Sequence, residues 1–127
     1  STHQAPLYPG TGAASEVGAH GQIVNVALAA GSGGAQAREI WRGLCDKVAG
    51  WRPQLILVSA GFDAHAADPL AGLLWHEGDF TAITRMICDT AASCSAPVVS
   101  ALEGGYDLGA LGRSARAHVE VLRETAA

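Results

Sequence analysis

The order of the elements, the make-up of the strands and the spacing of apolar residues predict an α/β fold built on a parallel sheet. Strand candidates at residues 23–28, 55–59 and 97–102 alternate with three segments of helical period. Such an order implies βαβ units with right-handed crossovers. Residues 55–59 (LILVS) read as a continuous apolar run, the pattern of a strand covered on both faces. The 127 residues suffice for one domain with a real core, and no internal repeat divides them.

Residues 1–22 carry Pro6, Pro9, Gly10, Gly12, Gly18 and Gly21, which forbid a long regular element, so this segment needs a scaffold to order it. Residues 23–28 (IVNVAL) form a short strand, ended by Gly31-Ser32-Gly33-Gly34. A helix is expected over 35–49, where Ile40, Leu44 and Val48 recur every four residues with Trp41 on their face; Gly50 and Pro53 stop it. Phe80, Ile83, Ile87 and Ala91 place a second helix over 80–92. Trp75 and His76 stand where a small capping residue belongs, so that helix start is expected to fray or to meet a partner. After a buried strand at 97–102 (PVVSAL), a last helix over 108–124 presents Leu111, Ala115, Val119 and Leu122, with Asp107 placed to cap it.

Charge and cysteine usage narrow the function. Net charge is −4, Lys47 is the only lysine, and no run of like charges exists, which excludes nucleic-acid binding through a basic face. No apolar run reaches the length of a membrane span, and no signal-peptide pattern opens the chain. Cys45, Cys88 and Cys94 lack CxxC spacing and read as reduced packing residues of a cytoplasmic protein. Charged residues make up only 16%, which suggests that part of the surface meets something else. A serine at position 1 is not expected to be a natural initiation site.

Ligands of an open parallel sheet bind beyond the carboxyl ends of its strands. Two loops qualify: 60–70, with Asp63, His65 and Asp68, and 103–107, with Gly104, Gly105 and Tyr106. If their strands are neighbours, Asp63 and Tyr106 share one rim as metal ligand and hydrogen-bond donor to an oxyanion. By position alone, Asp63 and Asp68 suit capping of loop amides equally well, and Tyr106 suits packing. Asp63, His65 and Asp68 also resemble a self-contained metal cluster. Gly31-Ser32-Gly33-Gly34 sits where a dinucleotide fingerprint would, but Gln36 stands in place of its third glycine, so no nucleotide is expected.

Taken in order, STHQAPLYPGTG (residues 1–12), IVNVAL (23–28), SAGFDAHAADPLAG (59–72) and LEGGYDL (102–108) resemble the C-terminal part of the zinc-dependent histone deacetylase and acetylpolyamine amidohydrolase family. The resemblance implies the arginase-like fold, three layers α/β/α around a parallel sheet. It also implies that Asp63 is one carboxylate ligand of a catalytic zinc and that the Tyr106 hydroxyl polarises the substrate carbonyl. Tyr8 falls at an aromatic wall of an acyl-lysine channel, Leu70 at another lining position, and Gly104-Gly105 at its floor. Ser1 falls where the family binds a structural monovalent cation, so the resemblance implies a potassium site there. His65 is not a zinc ligand in this family.

The same resemblance identifies what this stretch lacks. The family's other two zinc ligands form an Asp-x-His pair and its general base belongs to a His-His pair, both upstream of the matched segment. This chain has no His-His, and its one Asp-x-His is Asp63-Ala64-His65. The implied activity, hydrolysis of acyl-amide bonds on acetyl-lysine or acetylpolyamine, is therefore expected to be negligible in this chain alone. The competing expectation is a non-catalytic remnant or assembly subunit, acting as a homodimer or with a complementary N-terminal half. A truncated sheet leaves strand edges and apolar faces that need cover.

Overall fold

The computed structural model describes residues 1–126. Its elements are β1 (Thr2–Gln4), β2 (Val26–Leu28), α1 (Gly34–Trp51), β3 (Ile56–Ala60), α2 (Glu77–Cys94), β4 (Val98–Leu102) and α3 (Leu108–Thr125). β1 pairs with β2 and β3 with β4, both in parallel, as two separate ladders. The α/β class and the strand–helix alternation are as expected. β1 lies inside the stretch expected to be irregular, because Thr2–Gln4 borrows its order from β2, a partner 24 residues away in register (Thr2 opposite Val26).

The helices meet one face of the β3–β4 ladder. Ile56, Val58 and Ala60 point into a core shared with Trp41 of α1, Phe80, Ile83 and Ile87 of α2, and Leu111 of α3. Phe62 and Phe80 meet edge to face at 5.1 Å. Burial of such rings stabilises the fold by about 1.5–3 kcal/mol each. The opposite face is open: Leu57 is 71% and Val99 54% exposed. The expectation that these strands are covered on both faces fails within this chain, because strand alternation sends every second side chain to a side that carries no helix.

Three local expectations are corrected. α1 runs through Gly50 to Trp51, and ends where Arg52 turns left-handed (φ 52°) ahead of Pro53; the residue before a proline is steered out of the helical region. α2 does not fray at its start, since the Asp79 carboxylate takes the His76 backbone N–H at 2.9 Å, the reciprocal half of a capping box. Asp79 also pairs with Arg38 and lies against Gly34, where a side chain would collide with the carboxylate. The glycine cluster thus accommodates an acid, the opposite of a phosphate cradle.

The buried stripe of α3 is the third correction. Asp107 caps the helix as expected, accepting from Ala110 N–H at 2.7 Å. The buried positions, however, are Ala110, Ser114, His118 and Val121, while Val119 faces out. His118 is tolerated inside because both ring nitrogens are engaged, Nδ1 with Thr84 Oγ1 and Nε2 with Ser100 Oγ, each at 2.8 Å. Burial holds its pKa below the ordinary histidine value. The sign follows from linkage: an imidazole that resists protonation when folded leaves stability intact above about pH 6.5 and erodes it as pH falls toward the lower folded value. Urea midpoints are expected to drop between pH 7 and pH 5, with a flatter profile in His118→Gln; an unchanged slope in the variant would remove His118 from this role.

Candidate active site

The loops that follow β3 and β4 are laced together by their backbones. Phe62 N–H donates to Gly104 O at 2.8 Å, and Glu103 N–H to Ala60 O at 3.0 Å. That lacing sets Asp63 beside Gly104 and Tyr106. A Cβ built on Gly104 would stand 2.9 Å from Asp63 Oδ2 and 3.4 Å from Tyr106 Oη. The carboxylate and the phenol therefore converge on one point, over the one residue type that leaves room for both. Gly61 borders the same carboxylate: its Cβ would lie 3.3 Å from Asp63 Oδ1.

Asp68 holds this arrangement from beneath. Its Oδ1 accepts the Leu70 N–H and its Oδ2 the Tyr106 N–H, both at 2.9 Å, and the residue is only 8% exposed. Its sequence position suited loop capping, yet nothing in the sequence reveals that one of its partners lies 38 residues away. Burial raises the Asp63 pKa, the neighbouring Asp68 charge raises it further, and its own backbone N–H opposes both. A carboxylate destabilised in this way gains from a cation placed against it.

His65 does not join Asp63 and Asp68, so the local three-residue cluster fails. Its Nδ1 accepts the Ala67 N–H at 3.0 Å, and its Nε2 faces Glu77 Oε1 at 3.4 Å. Ligand atoms of His65, His76 and Glu77 do come within 4.8 Å of one another. Two features oppose a metal there. A ligating imidazole normally donates its other N–H, whereas His65 Nδ1 is an acceptor. Arg113 Nε also sits on Glu77 Oε1 at 2.5 Å and holds that carboxyl well below the usual range.

The remaining candidates fall in different places. Tyr8, 98% exposed, lines a cavity of about 690 Å³ that also reaches Asp63. Leu70 is not part of that lining and is largely exposed; Ala71 and Leu73 stand there instead. Gly105 turns toward Phe62 and Leu111 rather than the cavity. The Ser1 hydroxyl donates to Asn25 Oδ1 at 2.8 Å. A catalytic zinc takes three protein ligands, and among the described residues Asp63 belongs to no group of three close metal-ligating side chains. Among the described residues, Asp63 thus offers one carboxylate to such a set of ligands.

Comparison with known proteins gives a consistent picture. A model of the histone deacetylase domain matches residues 1–122. The chain is 43% identical to "Histone deacetylase 10, chloroplastic" of Oryza sativa subsp. japonica, over 90% of this chain and 27% of the relative. It is also 43% identical to a "Probable deacetylase" of Methanothermobacter thermautotrophicus, over 90% of this chain and 35% of the relative. Among solved structures, the HDA15 HD domain superposes with a TM-score of 0.84 at 32% identity, over 95% of this chain and 35% of that one. The acetylpolyamine aminohydrolase of Burkholderia pseudomallei gives 0.85 at 27% identity, over 95% and 36%. The chain thus spans about a quarter to a third of the length of these relatives.

Proposed function

The chain belongs to the histone deacetylase domain family, and on that premise we propose that it contributes one side of a zinc-dependent deacetylase active site, acting on acetyl-lysine or acetylpolyamine. The observation that carries this reading is the convergence of Asp63 and Tyr106 over Gly104. Asp63 would be one ligand of the metal, whose chemistry, when it is bound in the complete site, is to polarise the amide carbonyl. Tyr106 donates its hydroxyl to the oxyanion that forms on that carbonyl, and the Asp68 carboxylate fixes the Tyr106 backbone while it does so. Tyr8 offers an aromatic wall to the acyl chain. Ser1 with Asn25 offers two oxygens to a potassium ion.

Three cysteines without disulfides fit a reducing compartment such as the cytoplasm. No helix among the described residues is long and apolar enough to cross a membrane. Net charge of −4 argues against direct contact with nucleic acid.

Alone, the chain is expected to show no zinc-dependent turnover of a fluorogenic acetyl-lysine peptide above a no-protein blank. Turnover that vanishes in Tyr106→Phe would overturn that expectation. A second reading, an assembly subunit without catalysis, rests on the exposed sheet face at Leu57 and Val99. It predicts a homodimer in light scattering; a clean monomer at high concentration counts against it.

A further inference from the structure

The loop that presents Asp63 is built around a buried imidazole. His65 is 4% exposed. Its backbone N–H donates to Phe62 O at 3.2 Å, and its O accepts the Asp68 N–H at 2.9 Å. The Ala67 N–H donates to its Nδ1 at 3.0 Å, so the neutral ring carries its proton on Nε2. That N–H is closed off from solvent and makes no hydrogen bond. It faces the Glu77 carboxylate, with Oε1 3.4 Å away. A buried donor without a partner is costly, and a shift of about 0.5 Å makes this contact a charge-assisted hydrogen bond.

Glu77 is the first residue of α2, and Arg113 of α3 fixes it from outside, Nε donating to Oε1 at 2.5 Å. One carboxylate oxygen thus faces donors from two other elements. From His65 the contacts run on to the site. His65 O holds the Asp68 N–H, and the Asp68 carboxylate holds the Tyr106 N–H at 2.9 Å. Asp63 lies two residues before His65 on the same loop.

We infer that Glu77 is a positioning residue: through His65 it fixes the 62–68 loop, and with that loop the approach of Asp63 to Tyr106. That this pair serves a deacetylase rests on the function proposed above; the link from Glu77 to Tyr106 rests on the contacts alone. An acid in the first turn of a helix has an ordinary role as well, the interaction of its charge with the helix N-terminus. The two roles separate chemically. Glutamine keeps an oxygen for the His65 N–H but loses the charge.

Nitrogen-15 NMR of the chain with labelled histidine, at about pH 8 where imidazole is ordinarily neutral, tests the contact before any substitution. The expected result is a His65 Nε2–H resonance that survives exchange with water, while the exposed His20 gives none. A proton on Nδ1, or no Nε2–H resonance, overturns the proposal. Glu77→Ala should then quicken amide exchange at Ala67, Asp68 and Tyr106 at least about tenfold and leave Val58 unchanged. Glu77→Gln should keep the ring resonance and hold those three amides within about threefold of the parent. A role confined to the helix end predicts Asp79 and Phe80 quickened in both variants with Tyr106 unmoved, and that result overturns the proposal. Should Glu77→Ala not fold, the parent resonance and the Glu77→Gln pattern decide.

In a full-length deacetylase domain that includes this segment, Glu77→Ala should lower kcat about tenfold with KM unchanged, and Glu77→Gln should restore it. Quickened exchange at Tyr106 beside an unchanged kcat overturns the positioning role. A parent domain that hydrolyses no acetyl-lysine refutes the deacetylase reading instead, and leaves the link from Glu77 to Tyr106 standing on its resonance and exchange pattern.

Discussion

Tyr106→Phe, made in a full-length deacetylase domain that includes this segment, is expected to lower kcat/KM for acetyl-lysine hydrolysis by about 10²–10³-fold. The substitution removes one oxygen and keeps the ring. It leaves the Asp68 bond intact, because that bond is made to the Tyr106 backbone N–H rather than to the phenol. The side chain is half exposed, so stability should barely move. Loss of a donor used only when charge develops on the carbonyl should fall on kcat, with KM little changed. Zinc content, measured by mass spectrometry, should match the parent. A fall in activity matched by a fall in zinc would instead make Tyr106 a support of the metal site, and unchanged turnover would remove it from the reaction.

Asp68→Ala is the second large effect, and it falls on stability. The carboxylate is nearly buried and accepts two backbone N–H groups from different parts of the chain. Hydrogen bonds to a charged group contribute about 1.5–3 kcal/mol each, and removal leaves both donors unsatisfied. A loss of about 2–4 kcal/mol is expected in urea denaturation, a large share of the about 5–15 kcal/mol that small domains possess. Exchange at the Leu70 and Tyr106 amides should quicken most, and that of Val58, inside the β3–β4 ladder, least. Asp68→Asn should recover at most half, since its amide nitrogen presents a donor to one of the two N–H groups. A loss below about 0.5 kcal/mol in Asp68→Ala would show that the two loops hold together without this carboxylate.

Helix α2 was legible residue by residue: Phe80, Ile83, Ile87 and Ala91 are all buried, as their spacing implies. Helix α3 was legible as a helix, and Leu111 and Ala115 pack against the core as their spacing implies. Val119 instead faces out, and the most buried positions include Ser114 and His118, whose polar atoms no periodicity can weigh. His118 is admitted by hydroxyls on two other elements, Thr84 and Ser100, which sequence distance hides. The cap on α2 was missed for a related reason: Asp79 lies three residues inside the helix and works backward onto His76.

At the site, motif spacing brought Asp63, Gly104 and Tyr106 forward together, and the β3–β4 pairing, a condition in the sequence reading, made neighbours of their loops. The sequence by itself thus determined the α/β class, the three helices and the two loops that carry polar groups, because hydrophobic period and glycine placement are local properties. Only the tertiary structure decided which of those polar groups meet. It turned His65 toward Glu77 rather than Asp63, gave Asp68 to the backbones of Leu70 and Tyr106, and left Leu57 on an open face. Hydrogen-bond partners and face coverage are settled by contacts between distant segments, where a shift of about 3 Å makes or breaks a bond that no local pattern records.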